Sequence, residues 1–500
     1  MRVTRLKLTN LRAIQAAEFH FQSGLNLIVG VNGVGKTSVL DALAVSLSSV
    51  VKHTNSLQTR ATAFDDHDVR EGARSLTAEC AIRLEGTDYT YLIHKSLSSN
   101  EQRTAKSGMP REEAIDTPDR SEFIGDAPQP LETWPSGRPF GVLFSTQRAT
   151  PSEKNPSKGA ASGGVNTAYA DAFEHRDLQL GEFALWLNAQ ETLKKEIPAI
   201  ERVLEALEKA LRRFLPGYMN LRVNNDDPPR LTIDLGEKTT LSVEALSDTE
   251  RARLQEALTR RDTWMDLNWK ADPKWSPEQA SRAFDEQRNS ILDEMLKELL
   301  PNCERFRSGD DGRGQVIDRK PTTIEVSQLS DGERGTLALV LDLTKRLTQA
   351  NPELADPAAE AESIVLIDEI ELHLHPKWQR QIVDNLVTTF PRCQFIVTTH
   401  SPQVIGEVEH DQIQIIADGI VYSPSHSFGM DSSQVLEEIM QADPRTQEVK
   451  DLLARISGDI GQQQYDRARR ALSTLTELLG NDDPEVTRIQ TLLDFVEGNE

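Results

Sequence analysis

The sequence predicts an α/β fold of the P-loop nucleotide-binding class, with a helical insertion and a C-terminal helical region. Three segments carry that prediction. The first, Leu25–Ser38, reads LNLIVGVNGVGKTS, an apolar strand running into the pattern G-x-x-x-x-G-K-T. Glycines at that spacing let successive backbone N–H groups curl around a polyphosphate, and the helix predicted over 38–49 points its positive end at the same anion. Asn32, Gly33, Gly35, Lys36, Thr37 and Ser38 are therefore the candidate phosphate-binding residues. Lys36 reaches the β- and γ-phosphates, and Thr37 offers its hydroxyl to Mg²⁺. The second segment, SIVLIDEIELHLHPKWQRQIV over 363–383, is a short apolar strand with Asp368 and Glu369 at its carboxyl end. That is where α/β sheets present ligand-binding groups. Asp368 suits a hold on Mg²⁺ through water, and Glu369 suits polarisation of an attacking water. The third, CQFIVTTHSPQVI over 393–405, is another apolar strand, closed by Thr398, Thr399 and His400. A histidine there either hydrogen-bonds a γ-phosphate or its attacking water, or satisfies a sheet edge.

Taken in order, Met1–Thr9 and Glu18–Phe21 read as strands around the connection 10–17, and they feed the strand at Leu25–Val29. Leu76–Leu84 and Tyr89–Lys95 read as a hairpin turning at Glu85, Gly86, Thr87 and Asp88. Residues 96–138 lose periodicity and collect Ser, Pro, Gly and charge, the composition of a mobile insertion. Phe140–Ser145 resumes as a strand, followed by Gln147 and Arg148 and then by a second flexible run over 151–166. From Leu178 to Phe214 apolar residues recur at helical spacing, interrupted at Pro198. The stretch 214–254 then resembles 299–339, with L-S-D-x-E-R at Leu246–Arg251 and again at Leu329–Arg334. A helix cap with Glu near its third position explains the shared motif. The alternative is a partial duplication in which only the second copy keeps the glycine, with Thr249 standing where Gly332 stands. His373 and His375 have no Cys/His partner at metal-ligand spacing, so they read as packing and switch residues.

Composition narrows the function classes. Five hundred residues suggest about three domains, or one large α/β domain with insertions. A net charge of -23, from 56 Lys+Arg against 79 Asp+Glu, excludes a surface that holds nucleic acid by bulk attraction. The 3 cysteines, Cys80, Cys303 and Cys393, form no C-x-x-C pair, so neither a disulfide framework nor a zinc site is indicated and a reducing, cytoplasmic setting is expected. The amino terminus alternates like a strand, and no apolar run approaches a membrane span. Beyond His400 the chain lacks the clustered strand-end carboxylates of a two-metal Toprim nuclease, and it carries no H-N-H constellation.

Together these motifs resemble the ABC-type ATPase heads of the SMC and RecF kind. The resemblance makes the loop at Gly30–Thr37 the Walker A motif, Leu329–Glu333 (LSDGE) the signature loop, Asp368 and Glu369 Walker B, and His400 the switch histidine. It makes Gln147 the Q-loop residue and a further Mg²⁺ ligand, and places Asn10 and Arg12 against the nucleotide from the first strand connection. In that family two heads bind ATP head to tail, which implies a homodimer or higher oligomer in which Ser330 and Gly332 of one subunit cap the γ-phosphate held by Lys36 of the other. The run QLSDGERGTLALVLDLTKRLTQANPE, the segment LIDEIELHLHPKWQRQIVDNLVTTFPRCQFIVTTHSPQVI, and the tail SFGMDSSQVLEEIM with a helical pair over 460–496 are similar to the ATPases of Septu and retron anti-phage systems. The stretch 214–290, with its LSDTE copy and Trp264, Trp269 and Trp275, departs from them. This closer resemblance implies ATP and Mg²⁺ as ligands, a separate HNH nuclease as partner, a reverse transcriptase and retron DNA or RNA as further partners, and no membrane. Residues 1–150 and 321–425 are expected to form the two parts of the head, 151–320 the insertion and 426–500 the C-terminal helical region. The alternative is an ATP-gated DNA clamp of the RecF kind; a transporter ATPase is disfavoured, because the chain has no membrane partner segment and LSDGE and HLHP resemble the soluble branch.

Overall fold

The computed structural model describes the chain except residues 56–60, 98–118, 130–137, 150–164, 195, 225, 227, 237–238, 244–245, 301–302, 309–314, 320, 418 and 498–500. Most of the insertion expected over 96–138 and of the flexible run expected over 151–166 lies outside the described residues. Two compact units emerge, one formed by Met1–Thr399 with Asp411–Ser423, the other by His400–His410 with Pro424–Glu500.

In the first unit, β1 (Arg2–Leu11) and β2 (Ile14–His20) pair as a hairpin ahead of β3 (Leu25–Val29) and α1 (Lys36–Thr54). β4 (Ser75–Leu84), β5 (Thr87–Ser96) and β6 (Arg120–Ile124) extend the hairpin into an antiparallel sheet ordered β2-β1-β4-β5-β6. Val3, Leu6, Leu8 and Leu11 of β1 face the core, the inward set of a half-buried strand. β2 starts at Ile14 rather than Glu18, because Ile14 pairs with Leu11 and is itself buried. The β4–β5 turn is tighter than expected. Glu85 and Gly86 both take left-handed backbone, with φ of 46° and 83°, and the ladder runs on to the pair Leu84–Thr87.

A second sheet adds β7 (Gly141–Phe144), β14 (Ser363–Ile367), β15 (Cys393–Thr399), β16 (Ile413–Ala417) and β17 (Ile420–Tyr422), ordered β17-β16-β3-β15-β14-β7. Its pairs are parallel except for the β16–β17 hairpin. β3, β7, β14 and β15 are buried along their whole length, which is why they read as unbroken apolar runs rather than alternating ones. α1 contacts both sheets. The loops carrying all three motif segments thus leave one parallel sheet at the carboxyl ends of neighbouring strands.

Between β7 and β14 lie α2 (Val165–Tyr169), α3 (Leu180–Leu193) and α4 (Pro198–Phe214), with Pro198 opening the last of these. Next come β8 (Tyr218–Val223), β9 (Leu231–Leu235), β10 (Thr239–Ser242) and α5 (Asp248–Asn268). α6 (Pro277–Leu299), β11 (Cys303–Ser308), β12 (Gln315–Arg319), β13 (Thr322–Glu325) and α7 (Asp331–Ala350) repeat the same order of helix, three strands and helix. The two copies exchange their third strands. β13 pairs with β9 and β10 pairs with β12, giving the sheets β13-β9-β8 and β10-β12-β11. The helices follow the exchange, α4 packing on α7 and α5 on α6. The two stretches thus share an element order and pair reciprocally through their third strands. Its inserted half encloses a core of its own, with Leu246, Leu254, Leu292, Leu296 and Ile317. α8 (Pro357–Glu360) leads into β14, and α9 (Pro376–Thr389) follows it.

The second unit holds α10 (Pro402–Ile405), α11 (Ser432–Gln434), α12 (Gln447–Gly461), α13 (Tyr465–Leu479) and α14 (Pro484–Glu497). α13 and α14 fall where the sequence suggests a helical pair over 460–496, and α12 adds a third long helix ahead of them, with Val449 and Ile456 buried in one core with Ala468, Leu472 and Leu475. Among the described residues no helix is long and apolar enough to cross a membrane. All three cysteines are buried, and none forms a disulfide.

Candidate functional site

The phosphate loop leaves β3 and enters α1 through Gly33 and Gly35, whose φ values of 86° and 107° belong to glycine. A Cβ on Gly35 would also meet the Ile14 side chain at 2.9 Å. α1 begins with no side-chain cap and no acidic residue in its first turn, so its leading N–H groups and the positive end of its dipole are left for an anion. Lys36 Nζ donates to the carbonyls of Gly30 at 2.7 Å and Val31 at 3.3 Å, folding the side chain back over the loop. Burial pushes its pKa down, against the pull of Glu369, Asp368 and Glu371.

Asp368 and Glu369 follow β14, and Asp368 reaches the same place. Asp368 is buried, and its two oxygens accept from Thr37 Oγ1 at 2.9 Å and from Thr398 Oγ1 at 2.6 Å. Thr37 and Asp368 are 331 positions apart, and the parallel sheet brings them together. A hydroxyl beside a carboxylate is the hard-oxygen donor set that Mg²⁺ takes in phosphate sites, where substrate oxygens and waters complete the shell. Glu369 follows with φ of 47°, a conformation uncommon outside glycine. Glu371 is buried and accepts from Thr399 Oγ1 at 2.8 Å.

Gln147 lies in the 3₁₀ turn Thr146–Ala149 after β7, with its side chain exposed. Its neighbour Arg148, to which the sequence assigned no role, is buried and donates to Ser145 O at 3.0 Å, to Glu369 O at 2.6 Å and to Asp368 O. Burial lowers the Arg148 pKa to about 10, so the guanidinium stays charged at neutral pH. Asn10, next to last in β1, and Arg12, in the connection to β2, have φ of 56° and 48°. The Arg12 guanidinium is engaged by Asp41 of α1 at 2.6 Å and by Asp68 at 2.8 Å, while His175 Nε2 meets the other Asp41 oxygen at 2.9 Å. Arg12 therefore ties the first hairpin to the helix of the phosphate loop. His175 gains a raised pKa from that carboxylate.

Ser330 caps α7 through a capping box, its hydroxyl donating to Glu333 at 2.7 Å and its backbone N–H donating to the same oxygen at 2.9 Å. Glu333 also accepts from Tyr218 Oη at 2.7 Å. Gly332 is buried, and a Cβ there would lie 2.4 Å from the His373 carbonyl oxygen. That contact gives the glycine a structural reason within its own chain. The corresponding Thr249 is exposed. Gly332 thus packs beside the residues that follow Asp368 and Glu369, while the hydrogen bonds of Ser330 to Glu333 lie inside the α7 cap. His400 follows β15 directly and belongs to the second unit. Among the described residues no cluster of three or more His, Cys, Asp or Glu is arranged to hold a metal.

A family model described as "AAA domain" matches residues 5–213, and one described as "AAA domain, putative AbiEii toxin, Type IV TA system" matches residues 219–406. The chain is 26% identical over 501 residues to the Retron Ec83 probable ATPase of Escherichia coli, covering 98% of this chain and 86% of that one. It is 42% identical over 94 residues to the Septu protein PtuA of Bacillus mycoides, covering 19% of this chain and 13% of that one. The SMC head domain from Thermotoga maritima aligns with 85% of this chain and 98% of its own at 12% identity, with a TM-score of 0.36. Motifs and relatives together make the chain similar to ABC-type AAA ATPases, with the retron ATPase and the Septu protein PtuA among its relatives.

Proposed function

We propose that the chain is the ATP-binding and hydrolysing subunit of an anti-phage complex, working as a homodimer or higher oligomer that scaffolds and restrains a separate HNH-type nuclease. The observation that carries the catalytic part is the hydrogen bond from Thr37 to Asp368, which joins the phosphate loop and the Walker B strand in one site. Asn32, Gly33, Gly35, Lys36, Thr37 and Ser38 receive the phosphates, Lys36 exchanging its loop carbonyls for phosphate oxygens. Thr37 and Asp368, with Gln147, would hold Mg²⁺, which when bound would offset the negative charge that develops during phosphoryl transfer. Glu369 polarises the attacking water, and His400 contacts the γ-phosphate side. Ser330 and Gly332 act on the nucleotide of a second subunit, as the resemblance to head-to-tail ATPase heads implies. Asn10 and Arg12 border the nucleotide from the end of β1 and its connection to β2. Residues 1–150 and 321–425 serve as the head, 151–320 as the insertion and 426–500 as a helical docking region in a cytoplasmic complex. A reverse transcriptase with retron DNA or RNA is the further partner that retron relatives suggest.

The test is recovery of the full chain from its native host with its neighbouring gene products intact, with and without ATP, and identification of bound proteins by mass spectrometry. An HNH nuclease retained with the chain supports the proposal. A bare oligomer, or one bound only to DNA with steep salt dependence, overturns it in favour of a DNA clamp.

A further inference from the structure

We propose that Arg148 and Thr398 form a two-sided backbone clamp that positions Glu369 for hydrolysis; this rests on Glu369 being the residue that polarises water. Glu369 holds a left-handed conformation that a glutamate does not adopt unaided, so the surrounding structure must impose it. The imposing groups converge on its peptide bonds from two directions. From one side the buried Arg148 guanidinium donates to the carbonyl oxygens of Asp368 and Glu369, the latter at 2.6 Å. From the other, the Glu369 N–H donates to Thr398 Oγ1 at 2.8 Å and the Ile370 N–H donates to Thr398 O at 3.1 Å. The Thr398 hydroxyl spends its own proton on Asp368 Oδ1 at 2.6 Å, so one oxygen sets both the carboxylate of Asp368 and the backbone of Glu369.

The choice of residue types is informative. A buried arginine ordinarily meets a carboxylate, whereas the hydrogen bonds of Arg148 go to three carbonyl oxygens, and its charge is balanced at longer range by Asp368, Glu371 and Glu369. The planar fork of Arg148 serves the two successive carbonyls from separate nitrogens, Nη1 and Nη2, held at a fixed spacing that the single Nζ of a lysine does not reproduce. Arg148 also shares its 3₁₀ turn with Gln147, so any movement of that turn on nucleotide binding is passed directly to the Glu369 backbone. Both residues act through Glu369 and are positioning residues.

The experiment compares Arg148→Lys, Thr398→Val and Thr398→Ser in the full chain, with Glu369→Gln alongside. Readouts are equilibrium affinity for a fluorescent ATP analogue with Mg²⁺, and kcat and KM for phosphate release. Arg148→Lys and Thr398→Val should each lose about tenfold or more in kcat, because misplacing a reacting group by a fraction of an ångström is that costly. KM and nucleotide affinity should stay within about threefold of the parent. Thr398→Ser, which keeps the hydroxyl, should recover most of the turnover lost in Thr398→Val. Unchanged kcat in both disabling variants, or a loss of affinity matching the loss of kcat, overturns the clamp. Should Arg148→Lys not fold, the Val and Ser pair decides alone, since Val matches Thr in shape. Wild-type turnover by Glu369→Gln is a separate result, and it overturns the assignment of Glu369 itself.

Discussion

Replacing Gly332 by alanine is the sharpest probe of how the signature helix is seated. The added Cβ would lie 2.4 Å from the His373 carbonyl oxygen, 3.0 Å from its carbonyl carbon and 3.3 Å from Leu374 Cδ2. That is about 1 Å short of an ordinary contact, and the obstacle is backbone rather than the end of a flexible side chain. His373 is already held at φ of 61°, so it has little freedom to retreat. Overpacking of this kind costs about 1–3 kcal/mol, while the intrinsic preference of a helix for alanine over glycine returns at most about 1 kcal/mol. A net loss of about 1–2 kcal/mol should speed local opening about 5- to 30-fold. Hydrogen exchange measured on peptides spanning the first turns of α7 and residues 370–375 reads that change directly. The control is Thr249→Ala, which occupies the same place in the inserted copy but is exposed and should shift exchange there by no more than about twofold, the equivalent of about 0.5 kcal/mol. Slower exchange in Gly332→Ala, the ordinary result of such a change in a helix, would refute the packing argument.

Three further outcomes are expected. Lys36→Ala should abolish nucleotide binding, as read by titration of a fluorescent ATP analogue; retained affinity would detach the loop from its assigned ligand. Ser330→Arg should block ATP-driven dimerisation in sedimentation velocity whereas Ser247→Arg should not, because only the second copy carries the glycine and the seat on His373. Asp342 accepts from Arg176 at 2.6 Å and from Arg346 at 2.9 Å, and these cations hold its pKa well below the usual carboxylate range. Asp342→Asn leaves two arginines without their counter-charge and should destabilise the chain to urea by about 3–5 kcal/mol. Because the folded pKa is depressed, this stabilisation is present above the unfolded value near 4 and is lost as pH falls below it, so the gap between parent and variant should narrow in acid.

The residues that the sequence revealed and those it concealed divide along physical lines. The phosphate loop was legible because its chemistry needs glycines, Lys36 and Thr37 at fixed local spacing, and Asp368 and Glu369 were legible because they end an unbroken apolar strand. The strand exchange was not, since pairing of β13 with β9 and of β10 with β12 is decided between segments that share the same pattern. The likeness of the two copies suggests duplication but not which strand completes which sheet. Arg148 leaves no signal beyond standing next to Gln147, because an arginine bound to carbonyls needs no acidic partner in the sequence. The link from Arg12 through Asp41 to His175 spans the first hairpin, α1 and a loop beyond β7, and it follows only from the fold. Gly332 was found for one reason, a nucleotide cap, and the structure supplies a second in the carbonyl of His373.

The most direct test of the central claim is a comparison of phosphate release and bound nucleotide in the full chain and in Glu369→Gln, both supplied with ATP and Mg²⁺. If the site formed by the phosphate loop, Asp368 and Glu369 hydrolyses ATP, the parent releases phosphate and the variant retains intact ATP in a stable oligomer without turning it over. Phosphate release by the variant at the parent's rate would contradict it.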